Sequence, residues 1–148
     1  MSRFLDLVNE RVVVYDGATG TNLQEVGLTA DDFGGPELEG CTDILSVTRP
    51  DVIADLHESF FRVGSDVVET NTFGAFAVPL GEYAIPDRAH EICLASACIA
   101  REVADGYDGF VAGSMGPGTK SPSLGQITFV ELRDAYEVMA RGLIEGGV

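Results

Sequence analysis

Basic side chains are scarce in this 148-residue chain: 9 Lys and Arg stand against 24 Asp and Glu, for a formal net charge of -15 and a pI near 4.2. That imbalance repels phosphate backbones and anionic lipid surfaces at neutral pH, so neither nucleic acid nor a membrane is an expected partner. The acidic residues are dispersed (Asp31-Asp32, Glu37, Glu39, Asp51, Asp55, Glu58, Asp105, Asp108) and read as a solvated surface rather than an acidic tail. Cysteine is sparse too. Cys41, Cys93 and Cys98 are too few and too widely spread for a disulfide framework, which points to free thiols in a reducing compartment. Long apolar runs are missing. The opening Met1-Ser2-Arg3-Phe4-Leu5-Asp6 has no apolar core of a leader, and no stretch approaches the ~20 residues needed to span a bilayer. A cytoplasmic location is expected.

What is present is core material: 45% hydrophobic residues with a mean hydropathy of +0.15, enough for one packed domain over residues 1–148. Val12-Val13-Val14-Tyr15 is a β-branched run ending in Asp16-Gly17, read as a fully buried strand of a parallel sheet and a tight turn. Thr19 to Ser46, rich in Gly and acidic residues, reads as a long loop with one short helix, and loops of that length tend to be functional. Pro50 and Asp51 then suit the first turn of a helix whose apolar stripe is Val52, Ile53, Leu56, Phe60 and Val63, stopped by Gly64.

The same rhythm follows twice more. Asp66 to Thr70 is a strand, Asn71 to Pro86 a loop, and Asp87 to Ala104 a helix with Ala89, Ile92, Cys93, Ser96, Ile99, Ala100 and Val103 on one face. Gly109 to Ser114 is a third strand and Gly116 to Gln126 a loop; Thr128 with Glu131 forms a capping box for a helix through Leu143, closed by Gly146-Gly147. Strand, long loop and helix in repetition imply an α/β fold of parallel (β/α) units with right-handed crossovers. Loops after strands are long and turns after helices short, so chemistry is expected at the strand C-termini. A closed (β/α)8 barrel takes ~250 residues. Three units that end where a fourth strand would begin make the front half of one.

Three clusters fall at those strand ends: Asp16 to Thr21, Glu69 to Gly74, and Gly113 to Pro117. Each combines small residues that free backbone N–H groups with a polar side chain able to orient a ligand. Other chemistries fail on spacing. Thr119 intrudes before Lys120 in the phosphate-loop pattern, and no Gly-x-Gly-x-x-Gly follows the first strand. His57 and His90 fall within predicted helices as partly exposed residues, and Ser114 has no evident base. Cys93 and Cys98, about 500° apart around one helix, read as buried small hydrophobes. Cys41, on a loop, is the more reactive thiol, yet it has no second soft ligand nearby and no zinc site is complete.

Asp16-Gly17-Ala18-Thr19-Gly20-Thr21 with Leu23-Gln24, Gly40-Cys41-Thr42-Asp43, Thr48 to Ile53, Gly64 to Gly74 and Ala112 to Pro117 resemble, in that order, the homocysteine-binding module of the cobalamin-dependent methionine synthases. The resemblance spans nearly the whole chain. It implies the N-terminal half of a TIM (β/α)8 barrel that binds homocysteine and presents its sulfur to a zinc ion on cysteine thiolates, which lowers the thiol pKa for attack on a methyl group. It implies methylcobalamin on a separate module; other members of the wider family take the methyl from betaine or S-methylmethionine.

Carried over by position, Asp16 and Gly17 match the amino-acid site, with Asp16 toward the substrate ammonium or a neighbouring donor. Glu69, Thr70 and Asn71 match the second rim cluster, and Gly113 and Ser114 the third. The Gly17 backbone and Thr70 hydroxyl are assigned to the substrate's polar end. The family's zinc cysteines and its later acidic residue lie beyond these positions; Cys41 matches no zinc ligand, and Asp43 stands where Glu is common. Two readings follow: an incomplete homocysteine S-methyltransferase, or a noncatalytic fragment or half-barrel assembly module that cannot bind zinc alone and associates with a second copy or a complementing second half through its open strand edges.

Overall fold

The computed structural model describes residues 3–148; Met1 and Ser2, which open the segment read for a leader, lie outside it. An unexpected helix, α1 (Arg3–Glu10), comes first. It is tied down at both ends: Phe4 meets Phe110 edge-on at 5.3 Å, Arg3 donates to the Asp108 carbonyl at 2.6 Å, and Arg11 just beyond it pairs with Asp66. Asp66 also accepts from the Val14 amide at 2.9 Å, fixing where the first strand segment starts.

That segment departs from expectation. Residues 12–15 form only a single parallel bridge, Tyr15 to Val67, with Val12 83% and Val14 48% exposed rather than buried. The bridge uses one edge of the segment, and no described element pairs with the other or covers these side chains. β1 (Val67–Glu69) and β2 (Phe110–Ala112) are paired in parallel, Val67 with Phe110 and Glu69 with Ala112. The order in space is the 12–15 segment, β1, then β2, so the three strand ends finish side by side.

The 19–46 region holds more helix than expected. It contains α2 (Thr19–Glu25), α3 (Ala30–Phe33), 3-10 turns at Pro36–Leu38 and Thr42–Ile44, and α4 (Leu45–Thr48). Two devices were not read from the sequence: Asp32 closes a capping box on Thr29, and Leu23, Phe33, Ile44 and Leu45 are buried across the segment. Apolar residues spread over several one- and two-turn pieces carry no long period for a sequence pattern to reveal.

The longer helices match their end signals, though Val63, expected on the apolar stripe of the first, is 82% exposed. α5 (Pro50–Arg62) begins at Pro50 and ends before Gly64 at φ +104. After β1 come α6 (Ala77–Leu80), 3-10 turns at Gly81–Tyr83 and Pro86–Arg88, and α7 (Ala89–Asp105). α8 (Phe129–Glu145) follows a 3-10 turn at Pro122–Leu124 and opens on the expected capping box, Thr128 Oγ1 accepting from the Glu131 amide at 3.2 Å.

α5 and α8 both pack on α7. Against α8 the approach is close enough to require glycine: a Cβ on Gly146 would stand 2.4 Å from that of Ala97, and one on Gly142 would stand 2.8 Å from the His90 carbonyl. The α7 face is made of Ala89, Ile92, Cys93, Ser96, Ala97, Ala100 and Ala104; Ile99 and Val103 are only partly covered and Cys98 is exposed, contrary to its expected burial. Cys98 lies on the side of α7 turned from the core, five residues on from buried Cys93.

His57 also differs from expectation. It is 1% exposed, one turn from Ile53 and Phe61 on the buried face of α5, and neither ring nitrogen has a partner. Burial drives its pKa down from 6.5 to about 4. The folded state binds fewer protons at this site than the unfolded chain, so stability is retained above pH 6.5 and lost as pH falls toward 4.

Denaturant titrations should therefore find an acid-sensitive component of about 3 kcal/mol between those limits, absent in His57→Leu, which at neutral pH should be as stable as the parent or more so. Gly142→Ala should cost about 1–3 kcal/mol through overpacking against α7; an unchanged midpoint would refute the tight α7–α8 contact.

Candidate functional site

Parallel pairing in step brings Asp16, Glu69-Thr70 and Ala112 to Ser114 to one rim. There the chain satisfies its own polar groups in a closed relay. The Ser114 amide donates to Thr70 Oγ1 at 2.9 Å, Thr70 Oγ1 lies 2.7 Å from Thr72 Oγ1, and the Thr72 hydroxyl donates to the Ser114 carbonyl at 2.8 Å. Thr70 therefore donates to Thr72, and each hydroxyl gives one hydrogen bond and receives one. Thr70 and Thr72 are buried. Their relay stitches the end of β1 to the end of β2.

Asn71 is turned the other way and is buried. Its side-chain amide donates to the Thr42 carbonyl at 2.8 Å, and its backbone amide donates to Ser96 Oγ on α7 at 2.9 Å. From the facing loop, Asp43 Oδ1 accepts from the Gly74 amide at 3.0 Å. Burial pushes the Asp43 carboxyl above the usual carboxylate range, against the pull of that amide.

These segments enclose a concavity of about 430 Å3. Of the residues singled out from sequence, Gly17, Glu69, Thr70, Asn71 and Ser114 line it. Asp16 flanks it through the Glu69 amide, which donates to Asp16 Oδ2 at 3.0 Å. Gly113 does not line it; a Cβ there would face Leu143 of α8 at 3.1 Å. Thr19, Gly20, Thr72, the exposed Phe73 and Gly74, from the strand-end clusters, and Thr42 and Asp43, from a motif of the resemblance, also line it, none of them assigned a role in the site from sequence. The Gly40-Cys41-Thr42-Asp43 motif precedes a helix instead of following a strand, so only its position in the resemblance could have flagged it.

Two carboxylates, Asp16 and Glu69, meet at this rim. Asp16 is raised to about 6, chiefly by burial and further by the charge of Glu69, with the Glu69 amide opposing. Glu69 receives the Ser114 hydroxyl at 3.3 Å. Ser114 has no histidine beside it: His57 is partnerless within the core, and His90 pairs with Glu145 of α8 at 2.9 Å. Another hollow, about 410 Å3, lies at the opposite strand ends beneath α1. Its Arg3 and Arg11 are already paired with Asp108 and Asp66.

Zinc does not fit the residues present. Cys41, expected as the reactive thiol, is buried and its thiol pushed up by that burial, and Cys93 is pushed up to about 12. Among the described residues, no three His, Cys, Asp or Glu side chains converge on one point.

Parallel strands alternating with helices and a polar hollow at the strand C-termini define a class of (β/α) proteins, and solved homocysteine methyltransferases share this fold. The metallated form of the homocysteine methyltransferase MmuM from Escherichia coli superposes with a TM-score of 0.74 at 18% identity, covering 97% of this chain and 54% of that one. Its oxidized form gives 0.71 at 17% identity, covering 96% and 52%.

The sequence narrows the class. A family model described as homocysteine S-methyltransferase matches residues 13–148, and the chain belongs to that family. It is 49% identical over 148 residues to methionine synthase of Mycobacterium tuberculosis (strain ATCC 25618 / H37Rv) and 47% identical to that of Mycobacterium leprae (strain TN), in each case over 97% of this chain. The chain spans 12% of the length of either synthase.

The raised Asp16 carboxyl has a consequence for stability. Between pH 3.8 and about 6 the folded chain holds more protons at this site than the unfolded chain, so stability falls as pH rises through that window. Asp16→Asn should accordingly raise Tm at pH 7.5 and leave it unchanged below about pH 4; a Tm lowered at pH 7.5 would contradict the desolvated carboxylate.

Proposed function

We propose that this chain supplies the amino-acid-binding face of a homocysteine S-methyltransferase of the methionine-synthase kind, as the N-terminal half of a TIM (β/α)8 barrel over residues 1–148. The single observation that carries this is the 430 Å3 concavity bounded by Gly17, Glu69 and Ser114, with Asp16 raised to about 6 beside it. A desolvated carboxylate gains most from a cation that enters the same dry site. The substrate ammonium goes to Asp16, with Glu69 adding to the field. The carboxylate of the amino acid goes to backbone N–H groups at Gly17, while the Ser114 hydroxyl is given to Glu69. Thr70 and Asn71 hold the wall, since their side chains are committed to Thr72, Ser114 and Thr42. Gly113 keeps α8 close behind that wall.

The chemistry belongs to homocysteine sulfur, which takes a methyl group and loses its proton. These residues bind and orient the amino acid; the zinc and methylcobalamin that the family resemblance implies are assigned to groups outside this chain. The exposed Val12 and Val14 and the unpaired side of the 12–15 segment support association with a complementing half-barrel, or with a second copy. Free thiols and the acidic surface support a cytoplasmic location. Among the described residues, no helix is long and apolar enough to cross a membrane.

Calorimetric titration with L-homocysteine should detect binding that weakens as pH drops below about 6, where Asp16 takes up a proton. Asp16→Ala should weaken it by about tenfold or more. Affinity unchanged by that substitution would remove Asp16 from its role, and no binding by the parent chain would remove homocysteine as its ligand.

A further inference from the structure

The 41–46 segment and the 70–76 segment are far apart in sequence but joined by a reciprocal pair of hydrogen bonds, beside a longer one from the Asn71 side-chain amide to Ser46 Oγ at 3.4 Å. Asn71 reaches across with its side chain to the backbone of Thr42, and Asp43, the next residue, reaches back with its side chain to the backbone of Gly74. One bond runs each way, and the two lie on the same wall of the concavity, whose lining includes Thr42, Asp43, Asn71 and Gly74. Asn71 is held a second time by Ser96, which anchors its own backbone amide to α7. The Gly74 amide has Asp43, while the Gly74 carbonyl accepts from the Phe76 amide at 2.9 Å. A Cβ on Gly74 would sit 3.0 Å from Asp43 Oδ2, so glycine at this place leaves the carboxylate room to reach the amide.

Ordinary loop bracing does not call for a carboxylate here. None of the ion pairs among the described residues includes Asp43, although Arg49 in the following turn takes both Asp32 and Asp51. A partly buried acid with no cation and one backbone donor carries a desolvation cost that a neutral side chain would avoid. What it supplies in return is an acceptor oxygen that reaches the amide following Phe73, a reach that asparagine shares.

We propose that Asp43 is a positioning residue of the substrate concavity, acting through the Gly74 amide to hold the 71–74 wall in the shape that receives the amino acid. The inference rests on the homocysteine reading for its ligand, but the clasp itself is a property of the free chain. Asp43 works as one half of a pair with Asn71: Asn71 fixes the strand end of the wall, and Asp43 fixes its far end. Asparagine at position 43 retains an acceptor oxygen of the same reach, whereas alanine removes it.

The test compares Asp43→Asn and Asp43→Ala in the full chain by homocysteine calorimetry and by hydrogen exchange at individual amides. Asp43→Ala should speed exchange at Gly74 by about tenfold or more and weaken homocysteine binding by a similar factor, while Asp43→Asn should keep both within about threefold of the parent. Asp43→Ala that binds as the parent does overturns the proposal. Asp43→Asn that loses binding as fully as Asp43→Ala, with Gly74 still protected, also overturns it, because the charge would then be meeting the ligand directly. If the parent does not bind homocysteine, the homocysteine reading fails, and the clasp is judged on exchange: Gly74 protected equally in the parent and in Asp43→Ala overturns it. An Asp43→Ala chain that does not fold leaves Asp43→Asn to decide, with loss of Gly74 protection in that variant as the overturning result.

Discussion

Three strand ends kept in step set the position of everything else in this molecule. Only one bridge at Tyr15 and the short ladder from Val67 to Glu69 hold them, yet the parallel register fixes which side chains share a rim. A slip of one residue would turn Glu69 from the rim and replace it with its buried neighbour. The ladder alone is too short to prevent this. The Thr70–Thr72–Ser114 relay beyond the strands and the Asp66 contacts at their start clamp both ends of it.

The energetic character of the two sides differs accordingly. Helix packing is apolar and close, with alanine and glycine on α7 and α8 setting the distances, and among the described residues its one uncompensated buried side chain is His57. The rim is polar and nearly fully satisfied by backbone partners, with Asp16 and Asp43 as the carboxylates that burial leaves uncomfortable. Strain of that kind in a hollow is where ligand binding has most to gain, whereas the same strain at His57, sealed from solvent, offers nothing to a ligand.

Much of this was legible from sequence where one signal had one interpretation. Pro50 with Gly64, and Thr128 with Glu131, bounded helices within a residue or two, because capping chemistry is local. The rim clusters at Asp16, Glu69 and Ser114 were legible from the strand–loop rhythm. Side-chain commitments were not: nothing in Thr70-Asn71-Thr72 distinguishes a hydroxyl free for ligand from one spent on Ser114 forty-four residues away. The contribution of Thr42 and Asp43 was hidden for the same reason, since a loop before a helix acquires its role only when another loop folds against it. Burial misled where it depends on neighbours. Val12 to Tyr15 has a buried strand's composition without an element over it, and Cys41 sits in a loop that the fold covers.

The bond between Asp66 and the Val14 amide spans 52 positions of sequence. During synthesis, at ~5–20 residues per second, the first strand segment therefore emerges several seconds before its partner exists. A β-branched run with nothing to pair with is an adhesive surface for that interval, and Arg3, Asp6 and Glu10 are charged residues close ahead of it in the chain. α7, β2 and α8, contiguous in the chain and packed on one another, need no such wait.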